Sequence, residues 1–141
     1  MELSHRAWVV CKTVEPETMP IDTHRIVMTV FENTGGTPAS NVVIRYGWTI
    51  TKDKSIPKQL PEDNMVTEIV GVLGNGHEYR TRTGVRQFTK EEVNNSNNTL
   101  WLLYGTIDYL DVFGKEHRTV YCRRYDNVGW AGTTDEHNTV T

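Results

Sequence analysis

Asp111, His117 and Cys122 fall within fourteen residues, YLDVFGKEHRTVYC (109–122), around Gly114. A carboxylate, an imidazole and a thiol are the groups from which acid–base, nucleophilic and metal chemistry are built. Spacing decides whether they can work together. Read as strands 99–111 and 117–125 joined by VFGKE, the stretch is a β-hairpin. In that register Asp111 stands opposite His117, Tyr109 opposite Thr119 and Ile107 opposite Tyr121, all on one face. Gly114 supplies the positive φ of a five-residue loop. Asp111 can accept backbone N–H bonds in the turn or pair with His117 across the strands. His117 and Cys122 are five residues apart on one strand, so they point to opposite faces, about 16 Å apart at ~3.3 Å per residue. A thiolate–imidazole pair requires hydrogen-bond reach, and this strand does not give it. No serine stands in a G-x-S-x-G context. Asp111, Gly114 and His117 therefore read as a structural hairpin staple, no catalytic residue is expected, and the chain reads as a non-enzyme.

Other constellations are sparser. His5, His24, His77, His117 and His137 are scattered, with no H-x-x-x-H or Cys-x-x-Cys spacing, and Asp108 and Asp111 fall on opposite strand faces. No metal and no cofactor is expected. TGGTPAS (34–40) lacks the lysine of a phosphate-binding loop and joins strands instead of opening a helix. Arg80, Arg82 and Arg86 form the notable basic cluster, with Tyr79 beside it and the pair Arg123 and Arg124 elsewhere. Guanidinium groups grip phosphate bidentately, so Tyr79, Arg80, Arg82 and Arg86 are the candidate site for a small anionic nucleotide. The net charge of −3 and the pI near 5.9 carry no footprint for duplex nucleic acid.

These residues must be positioned by strands. RAWVVCKTV (6–14), HRIVMTVFEN (24–33), NVVIRYGWTI (41–50), VTEIVGVL (66–73), HEYRTRT (77–83), TLWLLYGTIDYL (99–110) and EHRTVYCRRY (116–125) are rich in Val, Ile, Thr and aromatics. Turn-forming residues bound each of them. Trp8, Trp48 and Trp101 lie inside these runs and read as core, whereas Trp130 lies in the tail. Seven short strands at this spacing predict a mainly β, immunoglobulin-like antiparallel sandwich. Thr89 and Glu92 form a capping box that predicts one short helix near 89–94. The sandwich domain is expected over residues 3–125, with a polar, partly ordered tail over 126–141.

At 141 residues, 37% hydrophobic and 23% charged, the chain suffices for one domain with its own core. Cys11 and Cys122 are too few for a disulfide framework and are expected to be free, buried and reduced. No apolar run approaches the ~20 residues of a membrane helix.

Three blocks carry a resemblance. Arg6, Ala7 and Trp8 form the first. Asn33, Gly35, Thr37, Pro38, Ala39, Asn41 and Val42, followed by Leu73 and Gly76, form the second. The third is Tyr104, Gly105, Ile107, Tyr109, Asp111, Phe113, Gly114, His117, Thr119, Tyr121 and Cys122. This pattern resembles an uncharacterised group of bacterial proteins in which one or two membrane helices and a linker precede a β-rich domain. The second block is also shared loosely with immunoglobulin-like bacterial modules. The similarity spans about residues 3–125 and departs at the start, where this sequence has no membrane helix. It implies a membrane-tethered domain at the cytoplasmic face of the bacterial inner membrane, or a cytoplasmic one where no anchor is carried. The expected function is a protein-binding or assembly module whose partner is a second copy or another protein. The alternative is a sensor of cyclic oligonucleotides in a membrane-associated antiviral effector, using Tyr79, Arg80, Arg82 and Arg86.

Overall fold

The computed structural model describes residues 6–17, 24–51, 58–62, 65–87, 100–126, 129–133 and 139–140. Alternating apolar and polar residues give strands wherever one side of the chain faces a core and the other faces water. The strands are β1 (Val9–Glu17), β2 (His24–Asn33), β3 (Ala39–Thr51), β4 (Val66–Leu73), β5 (Glu78–Gln87), β6 (Leu100–Leu110), β7 (Glu116–Asp126), β8 (Gly129–Thr133) and β9 (Thr139–Val140). They form two antiparallel sheets: a three-stranded one ordered β1-β2-β5, and a six-stranded one ordered β4-β3-β6-β7-β8, with β9 pairing β7.

The immunoglobulin-like sandwich with one helix is corrected by this arrangement. Among the described residues there is no helix, and the segment 89–94 lies outside them. A capping box contributes about 1 kcal/mol against a costly helical nucleus, so it signals a helix start without establishing a helix. A seven-stranded immunoglobulin domain divides its strands four and three. Here the division is three and six, because β4 joins β3 and the segment 129–140 adds β8 and β9 beside β7.

The two sheets share a core in which Val9 and Phe31 meet Val42, Ile44, Leu103, Ile107 and Tyr121. Phe31 packs edge-on against Tyr121, with ring centroids 5.5 Å apart at 70°. Polar links also cross between the sheets; among them, Thr119 Oγ1 donates to the Val9 carbonyl at 2.6 Å and Arg123 Nη2 donates to the Cys11 carbonyl at 2.5 Å. Gly105 lies at a close approach, where an added Cβ would stand 1.8 Å from the Arg45 carbonyl oxygen. A smaller cluster of Leu102, Tyr104 and Cys122 lies on the other face of the larger sheet, covered by Leu60 and Met65. Tyr104 Oη fastens that cover by donating to the Pro61 carbonyl at 2.5 Å.

Candidate functional site

The β6–β7 hairpin is built differently from its sequence reading. Tyr109 pairs with His117, Ile107 with Thr119 and Gly105 with Tyr121, a register two residues from the one expected, with the same residues on the same face. The loop is Asp111–Lys115, closed by Asp111 N donating to the Lys115 carbonyl at 3.0 Å and Gly114 N donating to the Asp111 carbonyl at 3.0 Å. Asp111 turns into this loop because its carboxylate satisfies the loop's amides. Oδ1 accepts from Phe113 N at 2.9 Å and from Lys115 N at 3.0 Å. Oδ2 lies 2.6 Å from His117 Nε2. Gly114 sits at φ +78°, the left-handed conformation that favours glycine.

Both partners of the carboxylate–imidazole pair are buried. Burial pushes the Asp111 carboxyl up, but the bonds from His117 and from the Lys115 and Phe113 amides outweigh it. The carboxyl therefore titrates below its ordinary range. The Tyr109 ring lies beside His117, centroids 5.5 Å apart, and its hydroxyl is buried without a hydrogen-bond partner. Cys122 is buried on the opposite face of β7, in the cluster with Leu102 and Tyr104. The Asp111 carboxylate thus ties the loop amides to the His117 ring at the start of β7.

An open groove of about 360 Å³ lies alongside, lined by Asn41, Asp108, Leu110, Glu116 and Arg118 and bordered by Tyr109 and His117. Within it Arg118 Nε donates to Asp108 Oδ1 at 2.6 Å. Among the described residues, no group of three or more His, Cys, Asp or Glu side chains is placed to hold a metal ion.

Of the tyrosine–arginine set, Tyr79 faces the core while Arg80 and Arg82 lie two residues apart on the outer face of β5. Tyr79 pairs with the buried Phe31 and packs partly into the core, and burial followed by the nearby Glu68 carboxylate raises its hydroxyl pKa. Arg80 and Arg82 are exposed. Arg80 Nη2 lies 3.2 Å from Glu78 Oε2, and Glu78 also takes Lys12 at 2.8 Å, which in turn lies 3.0 Å from Glu32. The Arg86 backbone stands opposite Arg25.

Two features were not singled out from sequence. The first is Asn33, fully buried. Its Oδ1 accepts from Trp8 N at 3.1 Å and Gly35 N at 3.0 Å; its Nδ2 donates to the carbonyls of Thr37 at 2.8 Å and Leu73 at 3.1 Å. These four bonds fill the amide's main capacity and tie the entry to β1, the β2–β3 loop and the end of β4. Asn33, Gly35, Thr37 and Leu73 all stand in the second block of the resemblance, and that was the available signal.

The second feature is the outer side of β4, where Ile69 is 82% exposed and Val72 69%. The two residues share a side because of a bulge. Ile69 pairs with Val43 and Glu68 with Ile44, and Leu73 pairs with the buried Ala39. Ile44 is a core residue and Glu68 Oε1 accepts from Thr81 of the other sheet at 2.9 Å, so Glu68 and Leu73 face inward. The register shifts at Val70–Gly71, with Gly71 at φ +89°, insert the extra residue that turns Val72 outward beside Ile69. Periodicity alone reads this strand as ordinary and half-buried.

No family model and no curated protein matches the chain. Among solved structures it is similar to a chain described as "X-ray structure of Northeast Structural Genomics Consortium target SoR45", with 15% identity, 96% of each chain covered and a TM-score of 0.45. At that level the likeness carries no argument about fold or function.

Proposed function

We propose that this chain is a non-catalytic assembly or protein-binding module. The observation that carries the reading is the exposed apolar side chains of β4, a strand at the rim of the six-stranded sheet. An unpaired strand edge with apolar side chains is a template for association, and soluble proteins usually blunt it. The residues with chemical potential are used otherwise: Asp111 and His117 hold a loop, and Cys11 and Cys122 are buried. The residues that carry the bacterial resemblance are also largely structural. Asn33, Asp111, Thr119 and Tyr121 each make bonds that hold segments together. On that resemblance, the module works at the cytoplasmic face of a bacterial membrane as the tethered part of a longer protein.

Light scattering on a concentration series, with affinity capture of partners, tests the reading. A mass that rises above the 16.2 kDa of one chain, or a stoichiometric protein partner, is the expected result. A strict monomer that captures nothing overturns it.

A further inference from the structure

Independently of the assembly reading, we infer that one end of the domain docks on an anionic lipid surface, with Val112 and Phe113 entering the interface and Lys115 meeting the headgroups. That end is built from three loops and the entry to β1. Asn33 N donates to the His77 carbonyl at 3.1 Å, Gly76 N to the Asn33 carbonyl at 2.8 Å and Thr34 N to the Trp8 carbonyl at 2.8 Å. These bonds tie 6–8, 34–38 and 74–77 together. Leu110 pairs with Ser40, so the β6–β7 loop, 111–115, rises from the same end.

The Asp111 loop presents its apolar side chains outward. Asp111 Oδ1 holds the Phe113 and Lys115 amides on the inner side of the turn, and Val112 and Phe113 stand 52% and 64% exposed at its tip. The outward charge of the three loops has one sign. Their one carboxylate, Asp111, is buried and bonded to His117, whereas Lys115 is exposed. Glu32, Glu78 and Glu116 stand below, at the strand ends, and Lys12 holds the first two.

A convex tip of two apolar side chains, flanked by loops of Gly, Thr, Pro, Asn and His, offers little of the ~800 Å² per partner that a stable protein interface buries. A lipid interface needs no matching pocket. It takes a small apolar protrusion between headgroups, and an anionic surface also attracts the adjacent lysine. A lipid surface is therefore the occupant these features fit.

Sedimentation of the full chain with vesicles tests this at low salt, comparing phosphatidylcholine alone with an equal mixture of phosphatidylcholine and phosphatidylglycerol. Binding to the anionic vesicles is expected. Phe113→Ser should weaken it by at least about tenfold, and Lys115→Glu by at least about fivefold. Both positions are exposed, so thermal unfolding should show both variants folded. Orientation is read with an environment-sensitive dye on Phe113→Cys or on Ile69→Cys, since the native Cys11 and Cys122 are buried. Dye emission should rise on anionic vesicles at position 113 and stay constant at position 69, on the exposed side of β4. Equal binding to both vesicle types, binding to neither, a rise at 69 alone, or a Phe113→Ser variant that binds like wild type each overturns the inference. None of these outcomes bears on the assembly reading, which light scattering without lipid decides.

Discussion

Replacing Asp111 with alanine removes one acceptor from three donors at once. Two of these, the Phe113 and Lys115 amides, lie in an exposed turn and can take water in exchange. Each then costs about 0.5–1.5 kcal/mol, the net worth of an ordinary hydrogen bond. The third, His117 Nε2, is buried and is left without this partner, at roughly 1–3 kcal/mol. The expected loss for Asp111→Ala is therefore about 4 kcal/mol at neutral pH, within a range of about 2–6. With an m-value near 2 kcal/mol/M, the urea midpoint would fall by about 2 M. Asp111→Asn keeps an acceptor for both amides and gives up only the carboxylate's bond with the His117 ring, so its loss should be about 1 kcal/mol.

Acid provides an independent check. The Asp111 carboxyl titrates below its ordinary range in the folded state, so its contribution is fully present above the unfolded pKa and is lost as pH falls through the folded one. The gap between wild type and Asp111→Asn should accordingly narrow below about pH 4. Urea titrations followed by tryptophan fluorescence at pH 7 and pH 3 measure both. An alanine variant within about 0.5 kcal/mol of wild type, or an asparagine variant as damaged as alanine, would refute this account of the loop.

Three further outcomes follow from the same geometry. Gly114→Val should cost about 1–2 kcal/mol in thermal unfolding even though an added Cβ there meets nothing within 4 Å, because the cost lies in φ +78° itself. Asn33→Ala removes four buried or part-buried bonds joining three segments and should cost about 3 kcal/mol or more in urea, a wild-type-like midpoint being the contrary result. The thiols of Cys11 and Cys122 should react with a disulfide reagent only after unfolding: both are buried, and burial raises the Cys11 pKa against the lowering effect of Arg123. Native-state labelling at either position would contradict that placement.

The strands were the legible part of the sequence. The runs 24–33 and 66–73 coincide with β2 and β4, because period-two alternation and β-branched content act locally. The hairpin register was missed because Asp111 was placed in the strand. Its bonds to the second and fourth residues ahead are a turn signal that aspartate carries in any sequence. Asn33 was harder to read, since its partners Trp8 and Leu73 are 25 and 40 residues away and meet only once both sheets have formed. The exposure of Ile69 was not readable from β4 itself. A strand's position at the rim of a sheet is a property of the whole topology, and the outward turn of Val72 depends on a bulge that opens only against β3.

Hydrogen–deuterium exchange on the full chain, recorded across a concentration series, tests the assembly claim most directly. The amides of 66–73 alternate between those bonded to β3 and those on the open edge of the sheet. Exchange at the open-edge amides of this segment should slow as concentration rises, while amides in the middle of β6, already paired on both sides, stay constant. Exchange across 66–73 that is unchanged from the lowest to the highest concentration, while larger species accumulate, would contradict the claim that β4 is the surface through which the module associates.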